Sequence, residues 1–130
     1  MLEAGLRAEL IAWLAADPHL SSQLNAIVEE TPLRTSLPWL AIAASASTDW
    51  SSKTHTGREV RIALELHCRG DAPRSGAALV AAIEQRIAAL PAAQPEFRIV
   101  TTRFLRSRAE QRGEAVRAIL VEYRFRLMAA

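Results

Sequence analysis

Strict alternation of apolar and polar residues over Arg58–Cys68 sets the frame for the whole chain. Val60, Ile62, Leu64, Leu66 and Cys68 leave one side of the segment, and Arg61, Ala63, Glu65, His67 and Arg69 leave the other. A period of two over that length is a half-buried strand, since successive side chains leave opposite faces of the pleat. The same period recurs near the C-terminus. There Arg117, Ile119, Val121, Tyr123, Phe125 and Leu127 oppose Ala118, Leu120, Glu122, Arg124 and Arg126. A third such run covers Arg98–Arg106, with Ile99, Thr101, Arg103 and Leu105 against Val100, Thr102 and Phe104. Ser107–Glu114 reads as a polar hairpin connection between these last two strands.

Helical spacing appears twice. Leu2, Leu6, Leu10, Trp13 and Leu14 form one face of an N-terminal helix that ends at Asp17-Pro18, because proline disfavours helical geometry in the residue before it. Ala77, Leu79, Val80, Ile83, Ile87 and Leu90 form a second helix, with Ser75 as cap and Pro91 beyond its end. Trp39–Ala46 reads as a strand. Its alanines also suit a helix, but the proline before it and the Ser/Thr run after it favour the strand. Residues 18–37 fit a short helix, capped by Ser21 or Ser22, and an irregular connection equally well. The order α-β-β-α-β-β predicts an α+β fold, a four-stranded, largely antiparallel sheet with helices on one face, in a single domain spanning residues 1–130.

Composition adds limits. The 130 residues are 50% apolar and 23% charged, which suits a packed domain and not a disordered chain. A lone cysteine excludes an internal disulfide. No apolar run reaches the ~20 residues that span a bilayer, and the first residues lack the pattern of a signal peptide. A soluble product, intracellular or released in an assembly by lysis, is expected. The net charge of +2 hides an asymmetry: residues 1–95 carry eight basic against ten acidic side chains, and residues 96–130 eight against four. The basic C-terminal part is either a solvated sheet face or a surface toward nucleic acid or an acidic partner.

Little points to catalysis. There is no Gly-rich phosphate loop, no nucleophile elbow and no pair of ligands at metal spacing. His67 and Cys68 are neighbours in a strand and point apart, so they cannot readily share a metal. Asp49, His55 and nearby serines supply the residue types of a hydrolase triad without an oxyanion-hole motif, and read as a hydrogen-bonded loop. No catalytic residue, cofactor or metal is expected. Trp50, alone among polar residues, either folds back on the sheet or stands out as an anchor for a partner.

The segment Thr48-Asp49-Trp50-Ser51-Ser52-Lys53-Thr54, then Gly57-Arg58-Glu59 and the strand to Cys68, resembles the signature of a tailed-phage family. So do the N-terminal amphipathic helix and the helix after the second strand. The family is that of tail-completion or tail-terminator (head–tail joining) proteins, long filed as a domain of unknown function, of long-tailed phages, prophages and gene transfer agents. The resemblance covers nearly the whole chain, is strongest over Thr48–Leu90 and weakest over 18–37. It implies a virion structural protein and no enzyme. Copies would form a homo-oligomeric ring, typically of six, that caps the tail tube protein and joins the head-completion or connector protein at the head–tail interface. DNA would pass through the opening without sequence-specific binding, no membrane would be involved, and the protein would wait in the bacterial cytoplasm before assembly. The contact segment implied is the loop Asp49, Trp50, Ser51, Ser52, Lys53, Thr54, His55, Thr56 and Gly57, ordered on binding.

From charge alone, Arg103, Arg106, Arg108 and Arg112 form a basic hairpin that faces DNA or a partner. The alternative function is a small nucleic-acid-binding α+β domain that uses this hairpin; a small-molecule enzyme ranks last for want of a convergent polar cluster.

Overall fold

The computed structural model describes residues 2–32, 34–71, 73–113 and 115–130. The elements run α1 (Leu2–Ala15), α2 (Pro18–Gln23), β1 (Ile27–Val28), β2 (Trp39–Asp49), β3 (Gly57–Arg69), α3 (Pro73–Ala88), β4 (Phe97–Gln111) and β5 (Val116–Ala129). They form one sheet in the order β1-β2-β3-β5-β4, antiparallel throughout except that β1 lies parallel to β2. The α+β class and the four expected strands hold. The sheet gains a fifth, two-residue strand, and the open stretch 18–37 contains the short helix α2. Its cap is Asp17, whose carboxylate accepts from the Leu20 amide at 3.0 Å, and not Ser21 or Ser22. Helix α3 likewise begins at Pro73, which puts Ser75 inside its first turn.

The apolar period of each element decides what it buries. Leu6, Leu10 and Leu14 of α1 and Leu79, Ile83 and Ile87 of α3 meet one face of the sheet. That face is built from Val60, Ile62, Leu64 and Leu66 of β3 and Val121, Tyr123, Phe125 and Leu127 of β5, all nearly inaccessible to solvent. Gly76 lets α3 close on β3: a Cβ there would stand 3.1 Å from the Cys68 sulfur. The two helices are joined by a reciprocal clasp. Trp13 Nε1 donates to the Arg86 carbonyl at 2.7 Å, Arg86 Nε donates to the Trp13 carbonyl at 2.9 Å, and the guanidinium lies 3.4 Å from the indole centroid.

Three bulges break simple alternation. One in β2 between Ile42 and Ala44 moves Ser45 and Ser47 to the helix side, where Ser45 donates to Glu3 Oε2 at 2.6 Å. Two in β4, between Ile99 and Thr101 and between Phe104 and Arg106, each shift the pairing with β5 by one residue. Residues opposite one another in an antiparallel pair share a face. The helix side of β4 is therefore Phe97, Ile99, Thr102, Phe104, Ser107 and Ala109, which replaces the single alternation read from Arg98–Arg106. The polar stretch read as a connection is mostly strand: β4 continues to Gln111, and beyond it Arg112 N–H donates to the Val116 carbonyl at 2.8 Å; Glu114, the last residue of that stretch, lies outside the described residues.

β4 thus extends well beyond the helices. Past Ile99 it is largely exposed, and Val100 and Phe104 leave 51% and 43% of their surface in solvent. Phe104 packs edge-on against Tyr123 with centroids 5.5 Å apart, and Tyr123 is itself buried. Desolvation, with the charge of Glu84 adding to it, pushes the Tyr123 phenol up to about 12. A raised folded-state pKa makes stability present below the unfolded value, near 10, and lost as the pH rises through about 12. Tyr123→Phe is expected to flatten the fall in urea midpoint across that window while leaving the midpoint at pH 7 nearly unchanged.

Candidate assembly interface

The loop joining β2 to β3 is an ordered extension of their hairpin. Trp50 N–H donates to the Gly57 carbonyl at 3.0 Å, and Gly57 N–H donates back to Ser51 Oγ at 2.9 Å. Ser51 Oγ donates to Asp49 Oδ1 at 2.6 Å. At the tip, Ser52 N–H donates to the His55 carbonyl at 2.9 Å and His55 N–H to Ser52 Oγ at 3.1 Å. Thr56 is tied to the end of β5, its carbonyl accepting from Ala129 N–H at 2.9 Å. Serine and threonine hydroxyls at these offsets satisfy several of the loop's backbone donors locally. Asp49, Ser51, Ser52, Lys53, Thr54, His55 and Thr56 are exposed and Gly57 is buried. Asp49 is bonded to Ser51 and His55 Nδ1 to Thr54 Oγ1 at 2.9 Å, so the acid and the imidazole serve separate hydroxyls.

Trp50 falls between the two outcomes the sequence offers. It is partly buried, with the Arg126 guanidinium 5.4 Å from its ring centroid. Arg126 is held in turn by Glu59 at 3.0 Å. One side of the indole thus rests on its own sheet while its remaining surface meets solvent beside exposed Ser51 and Ser52.

The basic hairpin lies at the other end of the sheet. Gly57 pairs with Met128 near the loop, and Arg69 pairs with Val116 at the hairpin. The 14 residues of β5 separate the two, a span of roughly 45 Å at the usual strand rise. The structure therefore does not bring the two candidate segments together.

Nor are the four hairpin arginines equivalent. Arg106 pairs with Glu122 at 3.1 Å and Arg108 with Glu110 at 3.2 Å. Arg112 grips Glu65 with both terminal nitrogens, at 2.8 and 3.3 Å, and donates through Nε to Glu110 at 2.7 Å. These bonds hold the Glu110 carboxyl below its ordinary range, the hydrogen bond from Arg112 contributing most. Glu65 also meets His67 Nε2 at 2.6 Å, and the His67 ring stacks on Trp39 at 4.0 Å. Cys68, on the opposite face, is buried against α3, and desolvation raises its thiol pKa. Among the described residues no cluster of three or more potential metal ligands occurs. Arg103 makes no salt bridge among the described residues.

This architecture has a match. The model of the family described as tail completion protein gp17 matches residues 8–128. The chain belongs to this family. Membership makes the chain a structural component of tailed-phage-type particles, and the tail-completion fold is the one described above. A chain solved in a virion of a native gene transfer agent particle superposes on it with a TM-score of 0.78 at 20% identity, covering 96% of each chain. That likeness is one of fold. No match is found among curated proteins.

Sequence reasoning missed the residues that dominate the helix-free face of the sheet. Arg61, Arg124 and Arg126 were legible only as outward positions of separate strands. Their neighbours depend on strand register, which no local pattern supplies.

Proposed function

We propose that the chain completes a phage-type tail: copies close into a ring, six by family resemblance, that caps the tail tube and joins it to the head connector, with DNA passing through the opening. The family match over residues 8–128 carries this reading. The geometry supports it in three ways. Contact segments at opposite ends of a long sheet suit a part that meets two different partners. A head-to-tail ring needs two unlike subunit surfaces, and the sheet has unlike edges: a 15-residue β4 with exposed Val100 and Phe104, and a two-residue β1. A long edge strand with apolar side chains invites pairing with another chain. The loop Asp49–Gly57, braced by its own hydrogen bonds and carrying a partly buried tryptophan, is the segment best formed for contact with the tube or a neighbouring subunit.

Particles assembled without the chain are expected to carry tails of irregular length that fail to join heads. Tails that still stop at uniform length and join capsids would overturn the proposal. Trp50→Ala separates the contact role from folding. Losing the stacking against Arg126 costs about 0.5–1 kcal/mol and the partly buried ring gives up apolar contact besides, so the variant should still fold but unfold at a somewhat lower urea concentration. Electron micrographs should then show tails and heads left unjoined; wild-type numbers of joined particles would remove the loop from the interface.

A further inference from the structure

The sheet face that carries no helix holds a row of like charges. Arg61 of β3 stands opposite Arg124 of β5, and Arg124 stands opposite Arg103 of β4. The three guanidinium groups cross three adjacent strands, a reach of about 10 Å at the usual strand spacing. Like charges directly opposite one another destabilise a sheet, and little here offsets them. Glu59 approaches Arg124 only at 3.9 Å and is bound more closely by Arg126 at 3.0 Å. Glu122, in the neighbouring row, is engaged by Arg106 at 3.1 Å. The Nε of Arg124 is buried without a hydrogen-bond partner, and neither Arg61 nor Arg103 makes a salt bridge among the described residues. Arg61 and Arg103 are exposed.

We infer that this row is a contact surface for the phosphate backbone of duplex DNA. The inference deepens the tail-completion reading and rests on it for the source of the DNA. Guanidinium groups bind phosphate oxygens through paired N–H donors. A duplex strand presents one phosphate per ~3.4 Å of helix axis, so a row of this reach meets about three. The surroundings are flat and small: Ala46 continues the row into β2, and Ala44 and Ala63 lie beside it. No aromatic side chain belongs to the row, so bases have no stacking platform and the contact is independent of sequence. The same flatness argues against an acidic protein segment, which would need an apolar pocket for its anchor residues. The tip of the β4–β5 hairpin, by contrast, spends its charge on Glu65 and Glu110.

The test is fluorescence anisotropy of a labelled 20-base-pair duplex of mixed sequence, titrated with the intact chain between 20 and 200 mM NaCl. Three phosphate contacts give a slope of log affinity against log salt of about −2.7, and Arg61→Gln and Arg103→Gln should each reduce its magnitude by about 0.9. Arg74→Gln, the same charge change on α3, should leave the slope unaltered. Arg61 and Arg103 are exposed, so both variants should fold, which circular dichroism checks. No binding at 20 mM salt, or equal loss in Arg74→Gln, would overturn the assignment. So would capture of a labelled polyglutamate peptide in place of DNA. Tail length and joining in particles carrying Arg61→Gln with Arg103→Gln report on tail completion separately: joined tails with lost DNA affinity support the row without disturbing that reading. Uniform, joined tails formed in the complete absence of the chain would sink tail completion and leave the binding result standing.

Discussion

Gly57→Ala should unseat the loop joining β2 to β3 and cost about 2 kcal/mol or more of stability. A Cβ at this position would run into the Trp50 carbonyl oxygen and stand 2.9 Å from the Leu127 carbonyl, with the Met128 sulfur at 3.1 Å. Two of these three are backbone atoms, which cannot swing away as a flexible side chain can. Relief requires β3 to move from β5 or the loop from its base, and the second route breaks the paired bonds between Gly57, Trp50 and Ser51. For a chain of this size the loss corresponds to a fall in Tm of roughly 6–10 °C. Gly113→Ala supplies the contrast. Gly113 has a φ of +64° but open space around it, so only the left-handed strain of about 1 kcal/mol applies. Thermal unfolding of both variants checks the order. Equal Tm values would show that the loop base yields more easily than its backbone contacts imply.

Trp13→Ala is expected to cost about 2–3 kcal/mol, below the usual range for a fully buried aromatic because the indole is only partly buried. The indole joins α1 to α3 through its donor to the Arg86 carbonyl and its stacking under the Arg86 guanidinium. Truncation also leaves the Arg86 side chain without its ring while its Nε still reaches for the Trp13 carbonyl. Trp13→Phe should recover much of the apolar packing but not the hydrogen bond, worth about 1 kcal/mol. Urea unfolding that places the phenylalanine variant between wild type and alanine would support the clasp. If both variants unfold with wild-type midpoints, the two helices are held by Leu10, Leu14, Ile83 and Ile87 alone. Folding stability is the whole readout here, because Trp13 lies on the helix layer and away from the loop and the arginine row.

Much of the fold was legible because the strongest signals are local. The alternation through β3 and β5 leaves only one side that can be buried, and both strands present the expected residues to the helices. The same holds for Leu6, Leu10 and Leu14 on α1. Where the signal was weak, the reason is physical. β4 carries two bulges, and each reverses the inside and outside of everything after it. Its polar C-terminal half looked like a loop because an edge strand beyond the helices has no face to bury. β1 is two residues long and takes its place only because Ile27 and Val28 lie beside Leu40 and Ala41.

The candidate site divides along the same line. The loop Asp49–Gly57 was visible as a tryptophan among serines and threonines, and the resemblance to tail-completion proteins rests on those residues. The bonds that close it were not visible, since they run to Gly57 and Ala129, the latter 73 positions beyond Thr56. The arginine excess of residues 96–130 could be counted in advance, but not its disposition. Counting assigned the free charge to the hairpin, whereas Arg106, Arg108 and Arg112 find carboxylates there, one of them, Glu65, from β3 outside the hairpin. Residue order therefore settled α1 and α3, the two central strands, the family and the total charge. Each follows from the identity of neighbours within a few positions. Strand register assembled Arg61, Arg124 and Arg103 into one row, set the loop and the hairpin at opposite ends of the sheet, and left β4 uncovered. Register comes from packing whole faces together, and a shift of one residue would have turned Arg61 and Arg124 toward the core.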